Sequence, residues 1–304
     1  MHKVKNYDLF STHAWYVPGV SGMFALLGFF LLGALLSGIV MAILSIFMSQ
    51  QDIADYGMIV MYPVQFLPAM MYAASKSRKN ALFDPGYSLS SKHFGGMGVG
   101  GAVLLTVVFS YSVMIAVDLP NYLNAKFTES VPWLKKLYDM VMETMKQMTG
   151  GPLWSSFLVT ALMAPFFEEW LCRGMILRGL LAGGKMKPVW AIVISALFFA
   201  LIHMNPWQAL NAFILGLLMG WIYYRTGSLW LTMLIHFVNN GTAVVLSQID
   251  SLKDYEYWID IFGHTWYYIA FAVALAIILG CIVLVKKIPV EHPWGNIDPV
   301  EPQV

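Results

Sequence analysis

Apolar runs long enough to cross a hydrocarbon core of roughly 30 Å, about 20 residues each, constrain this chain more than any other feature. Eight such runs lie near 21–49, 57–75, 97–117, 154–180, 188–204, 207–225, 228–247 and 266–285. With 59% hydrophobic and only 12% charged residues in 304, the composition excludes an ordinary soluble domain. The expected fold class is therefore an all-α integral membrane protein, a bundle of about eight transmembrane helices. The run at 207–225 follows its neighbour after almost no loop, so a tilted or partly re-entrant course is an alternative for it.

The segment "MHKVKNYDLFSTHAWYVPG" is polar and aromatic, and the apolar run after it is too long for the core of a cleavable signal, so the first span is expected to stay. Counting Lys and Arg between spans orients the bundle. With the N-terminus in the cytoplasm, twelve fall inside, among them Lys3, Lys5, Lys76, Arg178, Arg225 and Lys286. Five fall outside: Lys126, Lys135, Lys136, Lys146 and Lys253. Both termini are thus expected on the cytoplasmic side of a multi-pass cell-membrane protein. The expected organisation is a cytoplasmic N-terminal segment 1–20, one membrane domain 21–287 and a cytoplasmic tail 288–304. Segment 119–152 reads as the longest extramembrane stretch, with an amphipathic helix in "VPWLKKLYDMVMETMKQM". The basic loop 76–96 suits anionic headgroups. A net charge of +1 points to no nucleic-acid partner, and Cys172 and Cys281 both lie inside spans, which gives no disulfide framework.

Ionisable side chains inside spans are costly and usually functional. The fourth run holds Glu168, Glu169 and Arg173, the fifth ends with His203, and the seventh holds His236, Asn239 and Asn240. Glu169 and Arg173 are four apart on one helical face, acid before base, and can neutralise each other. Glu168 points roughly 100° away and has no partner in its own span, which makes it a candidate general base. Counting about 1.5 Å per residue from the cytoplasmic helix ends puts Glu168, His203, His236 and Asn240 within one layer near the bilayer centre. A single intramembrane His or Asn usually serves as an interhelical hydrogen-bond partner. An unpaired acid, two histidines and an asparagine at one depth favour hydrolysis instead.

Two look-alikes fit less well. "GGMGVGG" at 95–101 opens a span with no preceding strand, so it reads as helix packing rather than a nucleotide loop. "GVSG" at 19–22 sits at the membrane edge with no histidine at its depth, so it reads as a turn rather than a serine nucleophile.

The ordered triple "EEWLCR" (168–173), "FALIH" (199–203) and "HFVNN" (236–240) fits EExxxR, FxxxH and HxxxN. It resembles the CAAX protease and bacteriocin-processing family of glutamate intramembrane proteases, bacterial type, over about 154–247. The resemblance implies a helical core around a wet cavity. It also implies Glu168 and His203 as activators of a water, His236 and Asn240 as an oxyanion hole, and Glu169 with Arg173 as structural support. The expected function is an intramembrane endopeptidase acting on a membrane-associated protein or peptide, with no cofactor. A non-catalytic scaffold or bacteriocin immunity factor is the alternative from another class, and a proton-relay transporter a third. No HExxH occurs, but the same side chains offer oxygen and nitrogen ligands to a divalent metal, so metal-dependent hydrolysis also stays open. Access to the cavity is expected from the cytoplasm.

Overall fold

The computed structural model describes residues 16–77, 96–149, 151–182, 186–253 and 255–288. The basic loop expected at 76–96, most of the N-terminal segment and nearly all of the tail lie outside the described residues. Every predicted run falls on a helix. These are α1 (Val20–Phe47), α2 (Gln50–Lys76), α3 (Gly98–Ser130), α4 (Pro132–Thr149), a continuous helical stretch 153–182 called α5, α6 (Pro188–Ile202), α7 (Pro206–Thr226), α8 (Leu229–Leu246), the short α9 (Trp258–Phe262) and α10 (His264–Lys286).

Five of them, α1, α2, α3, α8 and α10, are long and apolar enough to cross a membrane. The other three predicted spans, α5, α6 and α7, are interrupted, short or polar, for reasons visible in the sequence. Four charges, Glu168, Glu169, Arg173 and Arg178, stand in α5, and all four are buried. At 15 residues α6 is only about 22 Å long. Polar residues Gln208, Asn211 and Arg225 punctuate α7.

Small residues set how closely the helices approach. A β-carbon on Gly33 of α1 would lie 1.9 Å from the Gln65 carbonyl oxygen of α2, so nothing larger than glycine fits this crossing. Gly216 meets Ala196 across the α6–α7 hairpin in the same way, with 3.0 Å available to a β-carbon. The turn from α7 to α8 takes two residues. Gly227 adopts φ of 65° and returns its N–H to the Tyr223 carbonyl, and the Ser228 side chain accepts from Leu231 N. A left-handed glycine closing a helix followed by a serine cap is the sequence pattern that stops one helix and starts the next.

The central element is α5. All eight residues from Trp170 to Leu177 are buried, so this helix meets protein on every side. Its backbone widens to π geometry at Phe157–Met163 and again at Trp170–Leu177, leaving six α-helical residues, Ala164–Glu169, between. Pro165 gives the first widening a cause, since a proline inside a helix removes one N–H and crowds the carbonyl four residues back. No such cause accounts for the second.

Two helices run well past the bounds read from the sequence: α2 begins at Gln50 rather than 57, and α3 continues beyond 117. The first part of the stretch expected outside the membrane continues α3 as far as Ser130, and only then does α4 begin. Asp118 is consequently inside a helix, buried, where its carboxylate accepts from the backbone N–H groups of Trp258 and Ile259 and caps α9. The amphipathic α4 is seated on the bundle as a connector. Its Tyr138 ring packs edge-on against Trp207 at the start of α7, and the Tyr138 hydroxyl reaches Glu256 at 3.4 Å. Burial together with the nearby Glu256 carboxylate pushes that phenol up to about 12.

Candidate active site

The adjacent glutamates of α5 diverge as the helical geometry requires, and each organises one half of the site. Glu169, fully buried, accepts from Arg173 Nη1 at 2.7 Å, and Arg173 donates its other terminal nitrogen to the Gly216 carbonyl at 3.0 Å. The same carboxylate oxygen, Oε1, receives His236 Nδ1 at 3.2 Å. One carboxylate thus ties α5 to α7 and α8. Removing one partner of such a buried pair leaves an uncompensated charge and costs about 3–5 kcal/mol.

Glu168 faces the other way. Its Oε1 accepts from the Tyr62 hydroxyl of α2, and its Oε2 lies 3.8 Å from His203 Nε2 without a hydrogen bond among the described residues. His203 is held by its other nitrogen, Nδ1, which lies 2.7 Å from the Phe199 carbonyl oxygen. A carbonyl can only accept, so Nδ1 carries a proton, and Nε2 is the ring nitrogen turned toward Glu168.

His203 occupies the first position of a three-residue turn. Met204 adopts φ of 49°, a left-handed conformation usually left to glycine, and so ends α6. Asn205 accepts from Trp207 N at 3.0 Å and starts α7. The turn is braced from outside, where Trp207 Nε1 donates to Thr128 of α3 at 3.0 Å.

Phe199 joins the two halves. Its buried ring meets the Arg173 guanidinium at 4.4 Å, the His203 ring at 4.8 Å and the His236 ring at 5.4 Å. The phenylalanine of "FALIH" is therefore the spacer that sets both histidines, and its carbonyl fixes the tautomer of one of them. Asn240, one turn beyond His236, donates its amide to the Thr160 carbonyl of the first π stretch at 2.9 Å and accepts from Asn239 at 3.0 Å. Glu168, Glu169, Arg173, His203 and His236 are brought together around Phe199, while Asn240 is attached to α5 a few residues further along.

Between α5 and α8 lies an apolar groove of about 510 Å³, lined by Pro165, Phe166, Phe167, Trp230, Met233 and Phe237. Phe167 and Phe237 are the chain neighbours of Glu168 and His236. Among the described residues no group of three or more His, Cys, Asp or Glu is arranged to hold a metal ion.

Sequence reasoning missed Tyr62, which stands in an otherwise apolar stretch just before Pro63. A hydroxyl at that depth needs a partner, and this was the available signal. The carbonyls of Gly216, Phe199 and Thr160 carry no signal at all, because every residue has one.

Residues 150–242 match the family model described as type II CAAX prenyl endopeptidase, Rce1-like. The match includes all seven motif residues and coincides with the family that the motifs resemble, although it covers less than a third of the chain. Over these residues the chain is similar to endopeptidases of the CAAX type. No curated protein and no solved structure matches the chain.

Proposed function

We propose that this chain is a multi-pass membrane endopeptidase in which Glu168 and His203 together activate a water for attack on a peptide carbonyl. The observation that carries the reading is the pair Glu168 Oε2 and His203 Nε2. They are two acceptors 3.8 Å apart, each with its remaining polar atom already committed. With the imidazole neutral, a water at about 2.8 Å from both can direct one O–H at each, and this polarises its oxygen as a nucleophile.

The atoms then balance without a covalent enzyme intermediate. Water oxygen bonds to the carbonyl carbon as Glu168 takes a proton, the tetrahedral oxyanion forms, and the C–N bond breaks as that proton passes to the leaving amine. His236 and Asn240 are the donors to the oxyanion. His236 turns Nδ1 to Glu169, which leaves Nε2 as the ring nitrogen available to the oxyanion. Asn240 has a second amide hydrogen beyond the one given to Thr160. Removing one oxyanion donor typically costs about 2.7–4 kcal/mol.

The matched family's name suggests prenylated CAAX tails as substrates, and the apolar groove beside Phe167 offers a hydrocarbon chain a place within reach of Glu168. Both termini are proposed to be cytoplasmic on the charge asymmetry of the loops, and the substrate entrance is proposed on the same side because CAAX tails would arrive from the cytosol.

The test is to incubate the purified protein in lipid nanodiscs with farnesylated and unmodified peptides carrying the same CAAX sequence, and to follow release of the last three residues by mass spectrometry. Release from the farnesylated peptide is expected, and it should persist after exhaustive chelation. Activity lost to chelator and restored by one stoichiometric metal ion would replace the water-only mechanism with a metal-assisted one. Absence of cleavage of either peptide, with a normal phenotype for Glu168→Gln in cells, would favour a scaffold.

A further inference from the structure

A carboxylate has two chemically equivalent oxygens, and its terminal torsion is broad and nearly two-fold. Glu168 in isolation would therefore present either oxygen, at a range of angles, to His203. Tyr62 removes that freedom. Its hydroxyl donates to Oε1, and its ring is fixed by stacking on the buried Phe66 at 5.6 Å and by contact with Phe167 at 6.3 Å. Phe66 in turn stacks on Phe167 at 5.3 Å, so the residue next to Glu168 belongs to the same aromatic group as the donor. A satisfied hydroxyl in the membrane interior would by itself be ordinary. The consequence for the second oxygen is what matters, because Oε2 alone is left facing His203 Nε2.

We propose that Tyr62 is the positioning residue of Glu168. Its phenol holds one carboxylate oxygen so that the other is the proton-accepting atom. The proposal rests on the hydrolytic reading above, but the bond itself can be tested without a substrate.

The comparison is between Tyr62→Phe, which keeps the ring and its packing, and Glu168→Gln, with both proteins in nanodiscs. The infrared carboxyl band that vanishes in Glu168→Gln belongs to Glu168, and it is expected to move in Tyr62→Phe. On the farnesylated peptide, Tyr62→Phe should lower kcat by roughly 10- to 100-fold, the scale of a misplaced catalytic group. KM should stay within about twofold, because the phenol binds no substrate. A Glu168 band unmoved in Tyr62→Phe overturns the proposal, as does an unchanged kcat or a rise in KM alone. If the wild-type protein cleaves nothing while the band still moves, the hydrolytic reading falls and the positioning of Glu168 stands.

Discussion

Two of the expected spans, α10 and α5, solve opposite problems. In α10 the buried residues Tyr267, Ala274, Cys281 and Val285 recur at seven- and four-residue steps along one stripe, while Trp266, Ile269, Val273, Leu279 and Val283 are left for lipid. One face packs, and the rest is solvated by hydrocarbon. In α5 no lipid face exists between Trp170 and Leu177, charges replace aliphatic residues, and the backbone departs from α geometry on either side of Glu168 and Glu169. A helix enclosed by protein on every side can hold charge and irregular backbone at membrane depth, because its neighbours supply the missing hydrogen bonds. The lipid-facing helix cannot.

That contrast can be broken most directly at Glu168. Glu168→Gln is nearly isosteric and should leave abundance and thermal unfolding unchanged while lowering peptide release by about 10²–10⁴-fold, the usual contribution of a general base. Cleavage within a few-fold of wild type would show that this carboxylate is an ordinary buried group. The next effect in size belongs to Glu169. Glu169→Gln strips Arg173 of its partner and should destabilise the protein by about 3–5 kcal/mol, read as lost membrane abundance and a lower unfolding temperature. Equal stability of the two glutamine variants would erase the division of labour between the glutamates. At the small end, Leu279→Ala on the lipid face of α10 should change stability by no more than about 0.5 kcal/mol. A loss comparable with that of Glu169→Gln would mean that this face is covered by protein.

The division between the two regions also explains what could be read from the sequence. Hydropathy reports solvation by lipid, so α1, α8 and α10 were legible from composition within about two residues, while the polar start of α2 and the extension of α3 that hid Asp118 were not. The site was legible through its departures from hydropathy. Glu168 was singled out because Glu169 has Arg173 four residues on, and that pairing is in the structure at 2.7 Å. Depth counting put His203 in the layer of Glu168, and the two lie 3.8 Å apart. Spacing within one helix could not show what the donors of another helix do. His236 and Asn240 were expected to aim at one point, and each carries a further partner, Glu169 and Thr160, that only tertiary packing reveals. The π stretches leave no periodic mark over so few residues. Tyr62 was hidden because its significance depends on which helix lies opposite α2.

The brevity of α6 has a consequence for how the reactant water gets in. A helix about 22 Å long in a hydrocarbon layer of roughly 30 Å ends about 8 Å short of the far boundary. Its last carbonyls have no further helical turn to receive, and acyl chains offer no donors. The fold answers on one flank with protein: His203 Nδ1 donates to the Phe199 carbonyl, the Met204 N–H donates to the Leu201 carbonyl, and the Trp207–Thr128 bond braces the turn. On the others, local thinning of the bilayer or solvent in the gap would each bring the aqueous phase toward the depth of the His203 ring. Water access would thus be set by where one helix stops, and because His203 is the first residue past that stop, lengthening α6 would also carry away the imidazole it delivers.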